Sequence, residues 1–474
     1  MHVTRRNLLL AGAAGTLALA TRTPARAQRS KPNIVFILAD DLGYADVSCY
    51  GRREYATPSI DRIAAEGMRF LQAYANSAVC SASRTAIITG RYQDRLPVGL
   101  EEPISVRDDG MIVGLPPGLP TLPAQLKKAG YATALVGKWH LGPLPDYGPL
   151  KSGYDRFYGF REGSSDYFNH DARLWTQDEL AHDPGYLTDL LGNRAVRVID
   201  DCAAAGQPFL LSLHFNAPHW PWEGPGDEAE SKRLAASGRR SLSDYDGGSM
   251  QTYAAMVTRM DEQIGRVLDT LDARGLRDDT IVIFTSDNGG ERYSDRWPFT
   301  GMKTELLEGG LRIPAIVRWP GHVPADRVDE HQTIMHMDWL PTLLAAAGLS
   351  PDPSFPSDGM SLLPTLTANA PPVTRKLFWR YLNMLQEACR DGDWKYLKIL
   401  DNTFLFNVVE DPLERANLKD RRRDIYDRLV ADYRAWNATM LPLDPGSFTF
   451  GPMSSELADH FGITKPKNLG NLAK

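Results

Sequence analysis

The apolar residues of this chain fall into short blocks of two kinds, and the two kinds alternate. Residues 33–39, Asn-Ile-Val-Phe-Ile-Leu-Ala, form a continuous apolar run rich in β-branched side chains. Such a run predicts a strand buried on both faces. It ends at Asp40-Asp41, with Gly43 just beyond. Over 59–67 the apolar positions change period: Ile60, Ile63 and Ala64 share one face and Gly67 stops the run, which predicts a short helix. A helix over 121–129 follows, closed by Gly130, and then a strand over 132–136 that opens into Gly137-Lys138-Trp139-His140. A helix over 190–205 leads to a strand over 209–215 that opens into Ala217-Pro218-His219. A long amphipathic helix over 253–273 leads to a strand over 280–285 that opens into Ser286-Asp287-Asn288-Gly289. A strand over 313–318 and a helix over 338–347 complete the series.

This alternation predicts the α/β class, with a large, mostly parallel sheet sandwiched by helices. The polar clusters fall where four of the strands end. Ligands in open α/β sheets bind outside the carboxyl ends of strands, so four separate segments bring chemistry to one edge. Residues 351–372 are rich in proline and read as a linker. Beyond them, 377–381, 394–399 and 404–407 read as short antiparallel strands and 421–436 as a helix. The expected division is a leader over 1–27, a catalytic α/β domain over 28–370, and a small C-terminal antiparallel-sheet subdomain with its tail over 371–474.

The leader has its own signature. Arg5-Arg6 precede an apolar run over 8–20, and Ala25-Arg26-Ala27 offers small residues at a cleavage site. That pattern resembles a twin-arginine signal peptide, which implies the twin-arginine export machinery as a partner and a periplasmic or extracellular bacterial location. The run is short for a membrane span, and no internal stretch reaches the roughly 20 apolar residues a span needs; no membrane association is expected after cleavage. Losing the leader's four arginines takes the net charge from −6 to −10. An acidic mature chain gives no field for nucleic acid; if the substrate is anionic, the positive charge that holds it must be local. Cys49, Cys80, Cys202 and Cys389 show no disulfide framework and are expected to be buried free thiols, apart from any chemistry at Cys80.

The chemistry-bearing residues are individually ordinary. Asp40-Asp41 and Asp287-Asn288 are four hard oxygen ligands at two strand ends, and adjacent carboxylates repel unless a cation lies between them. With no histidine in that set, calcium or magnesium fits better than zinc. In isolation each pair is equally good helix-cap or turn chemistry. Lys138 and His140 stand between glycines that permit close approach. His219 and Lys303 taken singly would be a loop histidine and a surface lysine. Val79-Cys80-Ser81-Ala82-Ser83-Arg84-Thr85, followed by Thr89-Gly90-Arg91, places Arg84 one turn beyond Cys80 if Cys80 heads a helix.

Taken together these segments resemble the type I sulfatase family of the alkaline phosphatase superfamily. Thr57-Pro58-Ser59-Ile60-Asp61-Arg62, Asp338-Trp339-Leu340-Pro341-Thr342 and, near the end, Leu405-Phe406-Asn407 with Glu410-Asp411-Pro412 extend the likeness in motif order. Ala82 stands where that family more often carries proline. The resemblance implies that Cys80 is converted to formylglycine by a formylglycine-generating enzyme, and that its hydrate is both nucleophile and metal ligand. It implies that Asp40, Asp41, Asp287 and Asn288 bind one divalent cation, usually Ca2+, with Mg2+ as the alternative. Arg84 and Lys138 would steady nucleophile and sulfate. His140 would be the base of the second half-reaction, while His219 and Lys303 would assist the leaving oxygen. The implied activity is hydrolysis of sulfate monoesters, with a sulfated small molecule or saccharide as substrate. A phosphonate monoester or phosphodiester hydrolase of the same superfamily is the nearest alternative, and a non-catalytic carbohydrate-binding protein a more distant one. Trp220 and Trp222 are candidates for stacking on a sugar, and Asp166, Tyr167 and His170 for substrate contact from a loop-rich insertion.

Overall fold

The computed structural model describes residues 31–237 and 247–450; the predicted leader lies outside the described residues. The strand Asn33–Ala39 is buried along its whole length, as its continuous apolar run requires. Its side chains alternate between two cores. Val35, Ile37 and Ala39 join one with the helices Pro58–Ala65, Leu187–Ala205 and Met250–Ala273. Ile34, Phe36 and Leu38 join the other with the helices Cys80–Thr89, Leu122–Lys128 and Trp339–Ala346. One strand without polar positions thus implies helices on both sides of the sheet.

The sheet has ten strands. Thr280–Ser286, Asn33–Ala39, Phe209–His214, Ala132–Lys138 and Arg156–Phe160 lie side by side in that order, all parallel. Beyond Thr280–Ser286 come Ala315–Arg318, Met68–Phe70 and Arg327–Asp329, and beyond Arg156–Phe160 come Trp175–Thr176 and Glu179–Leu180. Ala315–Arg318 runs antiparallel to Thr280–Ser286. A parallel neighbour needs a crossover over a sheet face. The intervening residues 287–314 instead stay at the carboxyl edge, where they carry Asp287, Asn288 and Lys303, and the chain then turns straight back.

The C-terminal sheet has four antiparallel strands in chain order: Lys376–Tyr381, Gln386–Asp391, Trp394–Ile399 and Asn402–Asn407. Its core includes Ile425, Leu429 and Tyr433 of the helix Arg423–Asn437, together with Ala82 and Ala86 of the Cys80 helix. The proline-rich stretch 351–372 is packed rather than loose. It contains the helix Leu363–Ala368, and Leu362 and Leu366 are buried against the main sheet. All four cysteines are free thiols, with Cys49 half-buried and the others buried. Among the described residues no helix is long and apolar enough to cross a membrane.

A fully buried ionic cluster joins the two sheets. Lys395 Nζ lies 3.0 Å from Glu308 and 2.9 Å from Glu414, and all three side chains are shielded from water. Arg312 pairs with Glu308 at 2.7 Å. Removing one partner of such a cluster strands buried charge, which costs about 3–5 kcal/mol. Lys395→Met should therefore lower unfolding free energy by about that amount in denaturant titration. Lys232→Met, which breaks the exposed pair with Glu228, should change it by under about 1 kcal/mol. Equal effects from the two substitutions would show that the cluster does not fasten the C-terminal sheet.

Candidate active site

Every segment singled out at a strand end reaches the same carboxyl edge. Cys80 is the first residue of the helix Cys80–Thr89 and is buried. Arg84, one turn along, reaches Asp287 Oδ2 with Nε at 3.1 Å and Nη2 at 2.8 Å, and Nη2 stands 3.6 Å from Asp40 Oδ1. Lys138 Nζ donates to Asp40 Oδ2 at 2.6 Å. Lys303 Nζ donates to Asp41 Oδ2 at 2.6 Å and lies 3.4 Å from His219 Nε2. Asn288 Nδ2 donates to Asp41 Oδ1 at 2.7 Å, and the Asp41 amide donates to Asp287 Oδ1 at 3.2 Å.

The backbone is bent to make this possible. Gly137 sits at φ 114, and a Cβ there would lie 1.7 Å from the His214 carbonyl oxygen. Only glycine lets the Lys138 strand end pack so close to its neighbour. Asp41 at φ 62, His140 at φ 53 and Thr304 at φ 74 all occupy the left-handed region that side chains disfavour.

Four carboxyl groups, of Asp40, Asp41, Asp287 and Glu291, meet three cations, Arg84, Lys138 and Lys303, so the carboxyl groups outnumber the cations by one. Burial pushes Asp40 up in spite of Lys138, with the Asp287 carboxylate adding to the effect. At Asp287 burial is outweighed by Arg84 and Lys138, and its carboxyl is held low. Asp40 Oδ1 and Asn288 Oδ1 are buried without hydrogen-bond partners. Ligand atoms of Asp40, Cys80 and Asp287 lie within 4.8 Å of one another, and so do those of Asp40, Asp41 and His219. A hard divalent cation fits this oxygen-rich donor set, and its positive charge would offset the crowded carboxyl groups and suit an anionic ester.

Burial disfavours the charged form of both histidines, and each has one ring nitrogen beside a carbonyl. Burial first, then Lys138 and Arg84, hold His140 well below the usual histidine range. Its Nε2 stands 3.3 Å from the Ile104 carbonyl, and its buried Nδ1 has no partner. Donation from Nε2 leaves Nδ1 as a free lone pair; the tautomer is assigned from the hydrogen bond. Gly163 makes room for the ring, since a Cβ there would be 2.8 Å from His140 Cε1. Burial and Lys303 likewise hold His219 low, and its Nδ1 lies 2.6 Å from the Trp220 carbonyl, so Nε2 accepts from Lys303. Lys303 keeps its proton because Asp41 and Glu291 outweigh the burial that opposes it.

Some candidates stand elsewhere. Trp222 is buried edge-on against Tyr293, whereas Trp220 is half-buried and tilted over His219 with ring centroids 4.5 Å apart. Asp166, Tyr167 and His170 are all buried inside the insertion. Tyr167 Oη donates to the carbonyls of Asn216 and His219, which props the His219 loop from beneath. Sequence reasoning missed Glu291, 3.5 Å from Lys303 Nζ and pushed up to about 7 by burial. Its position three residues after Asn288 was the available signal.

An α/β sheet with buried carboxylates and cations around one residue at its carboxyl edge defines a hydrolase-type centre for anionic esters. Residues 32–349 match the Sulfatase family model, and the chain belongs to the sulfatase family. It is 34% identical over 360 residues to human N-acetylgalactosamine-6-sulfatase, covering 71% of this chain and 66% of that enzyme, so the match spans about two thirds of the relative's length. It is 30% identical to mouse arylsulfatase J, covering 87% and 77% of the two chains. The crystal structure of Ps i-CgsB in complex with k-i-k-neocarrahexaose is 29% identical, with a TM-score of 0.77 over 89% of this chain and 95% of that one.

The donor set predicts that calcium binds the folded chain and raises its thermal midpoint by mass action. Asp287→Asn should abolish most of that shift, and elemental analysis should find one calcium or magnesium per chain. Two tightly bound zinc ions would overturn the assignment.

Proposed function

We propose that this protein hydrolyses sulfate monoesters of carbohydrates after Cys80 has been converted to formylglycine. The single observation that carries the reading is the place of Cys80. It heads a helix at the sheet edge, buried and enclosed by the charges of Lys138, Lys303, Asp40 and Asp287. A sulfated saccharide is the substrate class supported by the relatives, one named for N-acetylgalactosamine-6-sulfate ester cleavage and one crystallised with a neocarrahexaose. The half-buried Trp220 offers a face for a sugar ring beside His219.

Asp40, Asp41, Asp287 and Asn288 would hold one Ca2+ or Mg2+. When bound, that cation supplies Lewis-acid neutralisation of the sulfate oxygens. Arg84 and Lys138 orient the hydrated residue 80 and balance the charge of the ester. One hydroxyl of the hydrate gives its proton to the Asp40 carboxylate, which burial has made readier to take one, and forms a bond to sulfur as the bond from sulfur to the alcohol oxygen breaks. Lys303 carries the proton on the leaving-group side and gives it to that oxygen, while His219 Nε2 accepts a hydrogen bond from the same ammonium and aims it. His140 Nδ1 then takes the proton of the second hydroxyl. The carbonyl forms, sulfate leaves, and water adds back to the aldehyde. Of the two protons taken up by Asp40 and His140, one restores the Lys303 ammonium and the other departs with the sulfate, so the sum is one ester and one water converted to alcohol and hydrogen sulfate. A serine lacks the second hydroxyl and cannot perform the elimination. Export through the twin-arginine route completes the proposal, with the modification installed in the cytoplasm before the folded chain crosses.

Mass spectrometry of the peptide around residue 80 should show the aldehyde or its hydrate in active protein. Cys80→Ala should be inactive, and Cys80→Ser should react at most once and remain sulfated. Repeated turnover by the serine variant at near wild-type rate rules out the formylglycine mechanism.

The two imidazoles are separable by stopped-flow release of nitrophenol from an aryl sulfate. His140→Ala should give a burst followed by steady turnover slowed about a hundredfold or more. Lys303→Ala and His219→Ala should lose more on a sugar sulfate, whose leaving oxygen needs a proton, than on nitrophenyl sulfate. A burst in His219→Ala and none in His140→Ala would reverse the roles.

A further inference from the structure

Lys303 is followed by a strained turn, and the support for that turn comes from the other sheet. Thr304 is β-branched yet sits at φ 74, a conformation that persists only where the surroundings impose it. Its amide donates to the Ala78 carbonyl at 2.9 Å, and the Lys303 amide donates to the Gly290 carbonyl at 3.2 Å. Within the turn the Glu305 amide donates to the Met302 carbonyl at 3.0 Å and the Met302 amide to Glu305 Oε2 at 2.9 Å, and two further bonds come from one side chain of the other sheet. Gln386 Nε2 donates to the Thr304 carbonyl at 2.9 Å, and Gln386 Oε1 accepts from the Leu306 amide at 2.9 Å. A single amide thus closes both ends of the turn. Nε2 also reaches the Asn383 carbonyl at 3.3 Å.

Gln386 is 2% exposed and opens the second strand of the C-terminal sheet. It pairs in register with Tyr381, which is also buried and lies within electrostatic reach of Lys303 and Cys80. The C-terminal sheet therefore approaches the reaction centre from beside the leaving-group lysine. Losing the Gln386 amide would leave a carbonyl and an N–H buried without partners and free Thr304 to relax. The side chain that precedes it would move with it.

We propose that Gln386 is a positioning residue: through its amide the C-terminal sheet holds Lys303 Nζ against the leaving oxygen. This rests on the reading above that Lys303 protonates that oxygen. It also assigns the C-terminal sheet a part in catalysis in addition to its part in the fold.

The probe is a series of substituted phenyl sulfates of graded leaving-group acidity, assayed with the full chain carrying its modified residue 80 and calcium. Gln386→Met removes both hydrogen bonds at similar volume. Gln386→Glu keeps the acceptor for the Leu306 amide and removes the donor to Thr304. Both should steepen the dependence of kcat on leaving-group pKa. Phenyl sulfate should lose about tenfold or more and 4-nitrophenyl sulfate under about threefold, as expected when a proton donor is displaced. In a Lys303→Ala background, Gln386→Met should not steepen the slope further, because the two act as one unit. Parallel losses across the series, or an unchanged slope, overturn the assignment. If the wild-type chain cleaves no sulfate ester, the sulfatase reading itself fails; if it does and the slopes stay parallel, only the role of Gln386 fails.

Discussion

The arrangement depends on one electrostatic constraint: carboxylates from two strand ends are brought together out of water. Each alone would carry a prohibitive desolvation cost. The remedy is that three neighbouring segments each contribute an opposite charge. Arg84 comes from the Cys80 helix, Lys138 from a strand end, and Lys303 from the chain that returns to the sheet. Arg84 touches both Asp287 and Asp40, so it ties the two central strands to the helix that carries Cys80. The same pairs that make burial tolerable also set the relative positions of the reacting groups. The carboxyl groups outnumber the cations by one, and a divalent cation would fit among their oxygens.

A second layer holds the bent backbone under these charges. Asp46 is buried and accepts from the Gly43 amide at 2.7 Å, the Asp295 amide at 2.8 Å and Tyr253 Oη at 2.6 Å. It thereby joins the Asp40-Asp41 loop to the segment that follows Glu291 and to the long helix behind it. Burial pushes Asp46 up to about 6, with Tyr253 and the Asp295 amide pulling the other way. The loop geometry at Asp41 is thus imposed from outside the metal-type cluster, just as Gln386 imposes the geometry at Thr304. Positive φ values at Asp41, His140 and Thr304 mark the places where the chemistry demands a shape that the local sequence does not favour.

The central strands were legible because they are buried on both faces. Asn33–Ala39 and Trp394–Ile399 keep their expected limits, and most other predicted elements shift by a few residues at an end. Gln386–Asp391 was not legible. Its residues Gln-Glu-Ala-Cys-Arg-Asp show almost no apolar alternation, because Glu387 pairs with Lys398 across the sheet and Arg390 is buried against Tyr74. The short strand Arg156–Phe160 and the edge strands beside it carry too few residues for a period to show. The direction of Ala315–Arg318 depends on where residues 287–314 travel, and no local pattern encodes that. At the site, residues at strand ends could be read because the strands could be read. Glu291 and Gln386 could not: one lies past a turn motif, and the other reaches the site from a sheet more than eighty residues further on.

The state of Cys80 follows from the same charges. Burial raises its thiol above the ordinary cysteine range; Lys138 and Lys303 pull it down, and Asp40 and Asp287 push it back up. A reactive thiolate needs a net positive, partly exposed setting, and here the cations are already committed to carboxylates. Deep burial beside aspartates keeps the sulfur protonated and inert. On the proposed reading, a divalent cation held by Asp40, Asp41, Asp287 and Asn288 would supply positive charge for an incoming anion beside Lys138 and Lys303. A neutral hydroxyl nucleophile suits that setting, because it adds no charge until the anion is in place. On the proposed mechanism the second hydroxyl then meets His140 Nδ1, whose lone pair is left free by the hydrogen bond from Nε2 to Ile104. Burial, which raises the thiol, also disfavours the charged form of that imidazole, so the lone pair at Nδ1 is not taken up by a resting proton.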